Sequence, residues 1–105
     1  MQALEALADP TRRRIVELLA ESDRDAGELG SHFPVSQPAI SRHLRVLRET
    51  GLVRVRPEAQ RRVYSLDPAP LEQLDEWLTH YRGFWSQRLD ALGTELRRGR
   101  REEEQ

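Results

Sequence analysis

Apolar positions along this chain recur mostly at helical spacing, interrupted by one stretch where they alternate. Ala3, Leu4 and Leu7 predict a short amphipathic helix over residues 2–8. Asp9-Pro10 then punctuates the chain, because aspartate caps a helix and proline suits its first position. The next helix runs to about residue 20 with Ile15, Leu18 and Leu19 on its apolar face, and residues 21–24 read as a polar turn. Asp25 with Glu28 three positions on resembles a capping box, opening a short helix to about residue 32 that Gly27 and Gly30 weaken. Phe33-Pro34-Val35 is a tight connector. Ser36 is a good N-cap for a helix over 37–49, with Ile40, Leu44 and Leu47 on one side and Gly51 as its stop. Residues 52–56 and 62–66 are rich in Val, Tyr and Leu and flank Pro57-Glu58-Ala59-Gln60, which predicts a β-hairpin. From 69 to about 98, Leu71, Leu74, Leu78, Tyr81, Trp85, Leu89, Leu92 and Leu96 follow a near-heptad rhythm.

Two helices, a short turn between them and a following two-stranded hairpin are the order of a winged helix-turn-helix. The expected class is therefore mainly α with a β-hairpin wing and a long C-terminal dimerisation helix. Residues 1–98 form one DNA-binding and dimerisation domain in this reading, and 99–105 a charged, disordered tail.

Charge sharpens the picture. The formal net charge is −1, yet residues 36–66 hold seven Arg against two acids. Residues 1–35 and 67–95 are both acidic on balance, so a polyanion would be drawn to a single block. Within it, the side of the 37–49 helix opposite Ile40, Leu44 and Leu47 presents Gln37, Ser41, Arg42, Arg45 and Arg48. Glutamine and arginine match adenine and guanine edges, and serine reaches bases or phosphate. Gln37, Ser41 and Arg42, nearest the N-terminal end, are the expected base contacts, with Pro38 among them on the same turn. Ser36 and Arg45 are expected on phosphates. Arg56, Arg61 and Arg62 at the hairpin tip would reach the backbone or an adjacent minor groove. His43 has two readings, a phosphate contact or a half-buried packing residue.

Three stretches carry a resemblance: ALADPTRRRIVELL at 6–19, SQPAISRHLRVLRETGLV at 36–53 and RRVYSL at 61–66. Together they are similar to ArsR-type winged-helix regulators. The resemblance implies a homodimeric repressor of double-stranded DNA with an α-α-α-α-β-β-α layout, its operator an inverted repeat. It also implies that the first and last helices form the dimer interface, here Leu4, Leu7, Leu74, Trp77, Leu78, Tyr81, Phe84, Trp85, Leu89 and Leu92. The last helix is similar to that of a metal-independent, cysteine-free branch.

Other classes are excluded or set aside on residues. There is no cysteine, which removes disulfides, thiolate metal sites and thiol redox sensing. His80, with Asp75 and Glu76 before it, is too few ligands for a transition metal, so no metal and no cofactor are expected. No histidine lies near a nucleophile pattern, and no phosphate-cradling glycine loop appears, which argues against an enzyme. No stretch is long enough to span a bilayer and no signal-peptide pattern opens the chain, so the expectation is a cytoplasmic protein without a membrane partner. Trp77, Tyr81, Phe84 and Trp85 leave two readings: aromatic packing between subunits, or an effector pocket at that interface that would make the chain a metal- or small-molecule-responsive repressor. A winged-helix module serving protein contacts is a third reading, disfavoured by the polar, basic front of the 37–49 helix.

Overall fold

The computed structural model describes the backbone of residues 2–104 and the side chains of 2–99. In order come α1 (Gln2–Leu7), α2 (Pro10–Glu21), β1 (Arg24–Asp25), α3 (Ala26–Gly30), α4 (Gln37–Glu49), β2 (Val53–Glu58), β3 (Arg61–Leu66) and α5 (Pro68–Glu104). The chain forms two compact units, one ending at Leu74 and the other beginning at Asp75. The charged tail expected at 99–105 falls largely on side chains outside the described residues.

Caps fix the helices of the first unit. Asp9 accepts the Arg12 backbone N–H at 3.0 Å, and Pro10 takes the first turn, where its missing N–H costs nothing. At the start of α3 the Glu28 backbone N–H donates to Asp25 at 2.8 Å, while the Glu28 carboxylate accepts from the Asp25 backbone N–H, completing the capping box. Helix α4 ends in a Schellman motif: Leu52 N–H donates to the Leu47 carbonyl at 3.1 Å and Gly51 N–H to the Arg48 carbonyl at 3.0 Å. Gly51 sits at φ +79°, where only glycine is unstrained.

The apolar stripes that the spacing predicts converge. Ile15, Leu18 and Leu19 of α2 meet Ile40, Leu44 and Leu47 of α4, with Leu29, Leu52, Val53 and Tyr64 closing the core. Full burial of a leucine or isoleucine contributes about 1.5–3 kcal/mol, so this cluster fixes how α4 is oriented on α2.

The sheet differs from expectation at two places. Residues 21–24 are not all turn: Glu21 ends α2, and Arg24 and Asp25 form a third strand paired antiparallel with Tyr64 and Val63 of β3. A strand of two residues has no alternation for a pattern to reveal. The hairpin loop is also tighter than the four residues expected. Pro57 and Glu58 pair with Arg62 and Arg61, leaving only Ala59-Gln60 to turn, with Ala59 at φ +55°. Because the strand order is β1-β3-β2, β2 is an edge strand, where proline is tolerated.

Candidate nucleic-acid interface

Ser36 starts α4 by accepting the Ala39 backbone N–H at 3.3 Å, and Pro38 lies in the first turn. With Ile40, Leu44 and Leu47 buried, the helix must present its other side to solvent. Gln37, Pro38, Ser41, Arg42 and Arg45 line one shallow concave surface there. Arg45 and Arg48 continue it toward Arg54 on β2. All of these α4 side chains are exposed.

The arginines divide by what they touch. Among the described residues, Arg42, Arg45, Arg48 and Arg62 have no carboxylate within ion-pair distance. By contrast, Arg56 is paired with Asp23 at 2.8 Å and Glu58 at 3.4 Å. Arg61 reaches from β3 to both members of the α3 capping box, Asp25 at 2.9 Å and Glu28. Arg54 holds Asp67 at 2.8 Å. The Glu28 backbone N–H and then Arg61 keep the Asp25 carboxyl below its ordinary range. Thus two of the three hairpin arginines expected on DNA are engaged by the protein's own carboxylates, and Arg62 is not.

Two predicted contact residues also have internal partners. The Gln37 side-chain amide donates to the Ala26 carbonyl at 2.8 Å instead of pointing along the helix front. His43 is half-buried: its Nδ1 lies 3.4 Å from Arg12 Nη1 and 3.9 Å from an Asp9 carboxylate oxygen. The side-chain partners of Gln37 and Arg61 leave no periodic signal, so neither is visible in the residue pattern.

The residues expected between subunits are placed as follows. On α1, Leu4 is exposed and Leu7 packs partly against the core. In α5, Leu74 is half-buried. Beyond it Trp77, Leu78, Tyr81, Phe84, Trp85, Leu89, Leu92 and Leu96 are all exposed, Leu89 by 66%. The Trp77 and Tyr81 rings are 5.0 Å apart, and the Arg88 guanidinium lies 4.1 Å over the Phe84 ring. A row of large apolar groups this long is unusual on a free surface. No group of three or more histidine or acidic side chains among the described residues could hold a metal ion.

Known proteins share much of this sequence and fold. The family model described as bacterial regulatory protein, arsR family, matches residues 9–55, from the α2 cap through α4 into β2. The chain is 46% identical over 96 residues to the HTH-type transcriptional regulator Rv2034 of Mycobacterium tuberculosis, covering 88% of this chain and 90% of that protein. It is 36% identical over 76 residues to the transcriptional repressor SdpR of Bacillus subtilis, covering 72% and 84%. A solved structure described as a possible transcriptional regulator for arsenical resistance is similar with a TM-score of 0.73 and 44% identity, over 90% of this chain and 96% of the other.

Proposed function

The chain belongs to the arsR family of bacterial regulatory proteins and is a DNA-binding transcriptional regulator, not an enzyme; from that premise we propose that it is a homodimeric repressor whose α4 reads the major groove of an inverted-repeat operator. The observation that carries this is the division of α4: one side wholly buried, the other bearing Arg42, Arg45 and Arg48 exposed and unpaired among the described residues. An intramolecular ion pair would have to be broken before phosphate could be bound, and these three require no such exchange. Ser41 and Arg42 read base edges, with Pro38 packed beside them, and Arg45 joins the Ser36 end of the helix on phosphates. Arg62 adds a phosphate contact from the wing, while Arg56 and Arg61 exchange carboxylate for phosphate when DNA arrives. His43 supports α4 from behind.

Each chain offers its partner two apolar surfaces: Leu4 and Leu7 on α1, and the stripe from Leu74 and Trp77 to Leu92 on α5. Pairing them about a two-fold axis sets two α4 helices on successive major grooves, and occupying the operator blocks polymerase. The described part of the chain has no helix long and apolar enough to cross a membrane, in keeping with action in the cytoplasm. A second reading rests on Phe84, Trp85, Arg88 and Leu89, which line an open, mostly apolar concavity. It takes a hydrophobic effector between subunits, and titration calorimetry with hydrophobic compounds tests it.

The main test is selection of bound duplexes from a random pool by the purified chain, without added ligand. Enrichment of an inverted repeat supports the reading, and its half-site spacing gives the dimer geometry. A pool that stays random overturns it.

A further inference from the structure

Gln37 opens α4 at the reading end of the helix, yet its amide is turned back onto α3. Its Nε2 donates to the carbonyl of Ala26, the first residue of that helix, at 2.8 Å. The amide crosses α3 at Gly30. That glycine lies in helical backbone and not in the left-handed region that Gly51 occupies, so main-chain geometry gives no reason for it. The neighbouring side chain does. A Cβ on Gly30 would collide with Gln37 Oε1 and would lie 3.2 Å from its Cδ and 3.4 Å from its Nε2. Glycine weakens a helix relative to alanine, so a five-residue helix that ends on one accommodates something in return.

We propose that Gln37 is a positioning residue that clasps α4 to α3 through Ala26, with Gly30 as the space for the clasp, and that base reading falls to Ser41 and Arg42. The inference rests on the DNA-reading role of α4 proposed above. A bidentate pair with adenine needs Oε1 and Nε2 turned together to one base edge, which would break the bond to Ala26. The place of the clasp also favours positioning. Ile40, Leu44 and Leu47 hold the rest of α4 in the core, so the clasp acts on its first turn, next to Ser41 and Arg42. A shift of about 0.5 Å at that turn is enough to take a hydrogen bond to a base out of its range.

The test compares the wild-type chain with Gln37→Ala, Gln37→Glu, Gly30→Ala and the Gly30→Ala/Gln37→Ala double variant. Binding is measured to the duplex enriched from the random pool and to its single-base variants, and thermal melting is measured without DNA. Gln37→Glu keeps the shape but sets a carboxylate against the Ala26 carbonyl and adds a negative charge to the DNA-facing side, so it should lose at least as much affinity as Gln37→Ala. Each single variant should lose affinity by about three- to tenfold, Gly30→Ala with the same pattern over base positions as Gln37→Ala, and the double should lose no more than either. Gly30→Ala should raise the melting temperature of the Gln37→Ala chain more than that of the wild-type chain, because in the wild type the methyl group pushes the Gln37 amide off Ala26 and forfeits that hydrogen bond. A preference relaxed at one base pair in Gln37→Ala but kept in Gly30→Ala would make Gln37 a reader and overturn the proposal. So would Gly30→Ala binding like wild type, or stabilising both backgrounds equally. A wild-type chain that enriches no duplex defeats the DNA-reading role itself, and is seen before any variant is compared.

Discussion

Arg42 and Arg61 carry the same charge in opposite circumstances. Arg42 stands on the front of α4 with no carboxylate near it among the described residues, whereas Arg61 is held between Asp25 and Glu28. Arg42→Ala should therefore cost roughly 1–3 kcal/mol of binding to the selected duplex and relax preference at one base position, which competition against single-base variants would read. Equal affinity for every variant and for wild type would remove Arg42 from the reading face. For Arg61→Ala the expectation differs, because the phosphate contact proposed for it would replace existing ion pairs. The slope of log affinity against log salt should fall by less than the 0.9 or so that one free cation supplies. Backbone strain separates two other residues. Ala59 at φ +55° occupies a conformation that costs a non-glycine residue about 1–2 kcal/mol, so Ala59→Gly should stabilise the chain, by up to about 1 kcal/mol after glycine's greater unfolded entropy is counted. Gly51→Ala runs the other way and should destabilise by about 1–2 kcal/mol in denaturant melts, since it strains the Schellman stop of α4.

Caps set the acid limit of the helical elements. The Arg12 backbone N–H, followed by His43 and Arg12 as charges, holds the Asp9 carboxyl below the ordinary 3.8. The Glu28 N–H and Arg61 do so for Asp25, and the Ala69 N–H and Arg54 for Asp67. A carboxyl with a lower pKa folded than unfolded stabilises the fold fully above the unfolded value and loses that contribution as pH falls through the folded one. The melting temperature should thus be insensitive to these groups near neutrality and drop below about pH 4. Asp9→Asn keeps the cap but removes the titration, and should flatten part of that drop; an unchanged acid profile would show that Asp9 carries none of it. These caps were readable in the residues: Asp9-Pro10, Asp25 with Glu28, Ser36 and Gly51 each mark a helix end, and Ile15 to Leu19 and Ile40 to Leu47 mark the buried sides. What the pattern could not show is tertiary. The β1 strand exists only because Arg24 and Asp25 find Tyr64 and Val63 some forty residues on. The two-residue turn at Ala59 follows from an edge strand accepting Pro57, a fact about its neighbours. Likewise, which arginines are free depends on which acids fold beside them.

For the molecule as a whole, the acidic and basic segments have separate work. The one basic block contains α4 and the wing, and the acids of 1–35 pair with wing arginines at Asp23, Asp25 and Glu28. In the proposed dimer each such unit reads half an operator, and the apolar row on α5 joins the two. Leu89 is 66% exposed and Trp85 55%, and neither belongs to the core of the first unit, so a charge at either position costs that unit no buried contact. Leu89→Glu should therefore leave the core's melting behaviour intact while abolishing the dimer, as sedimentation velocity would show. Because joining two reading units raises affinity by about 10²–10⁴ through effective concentration alone, the variant should lose a factor in that range on the inverted repeat. Its affinity for a single half-site should barely change, since Arg42, Arg45 and Arg48 are untouched. Full dimer with full affinity in Leu89→Glu would move the interface off this stripe. A monomer that still bound the inverted repeat as wild type would mean the two half-sites are read independently, and that the apolar row on α5 serves something other than DNA binding.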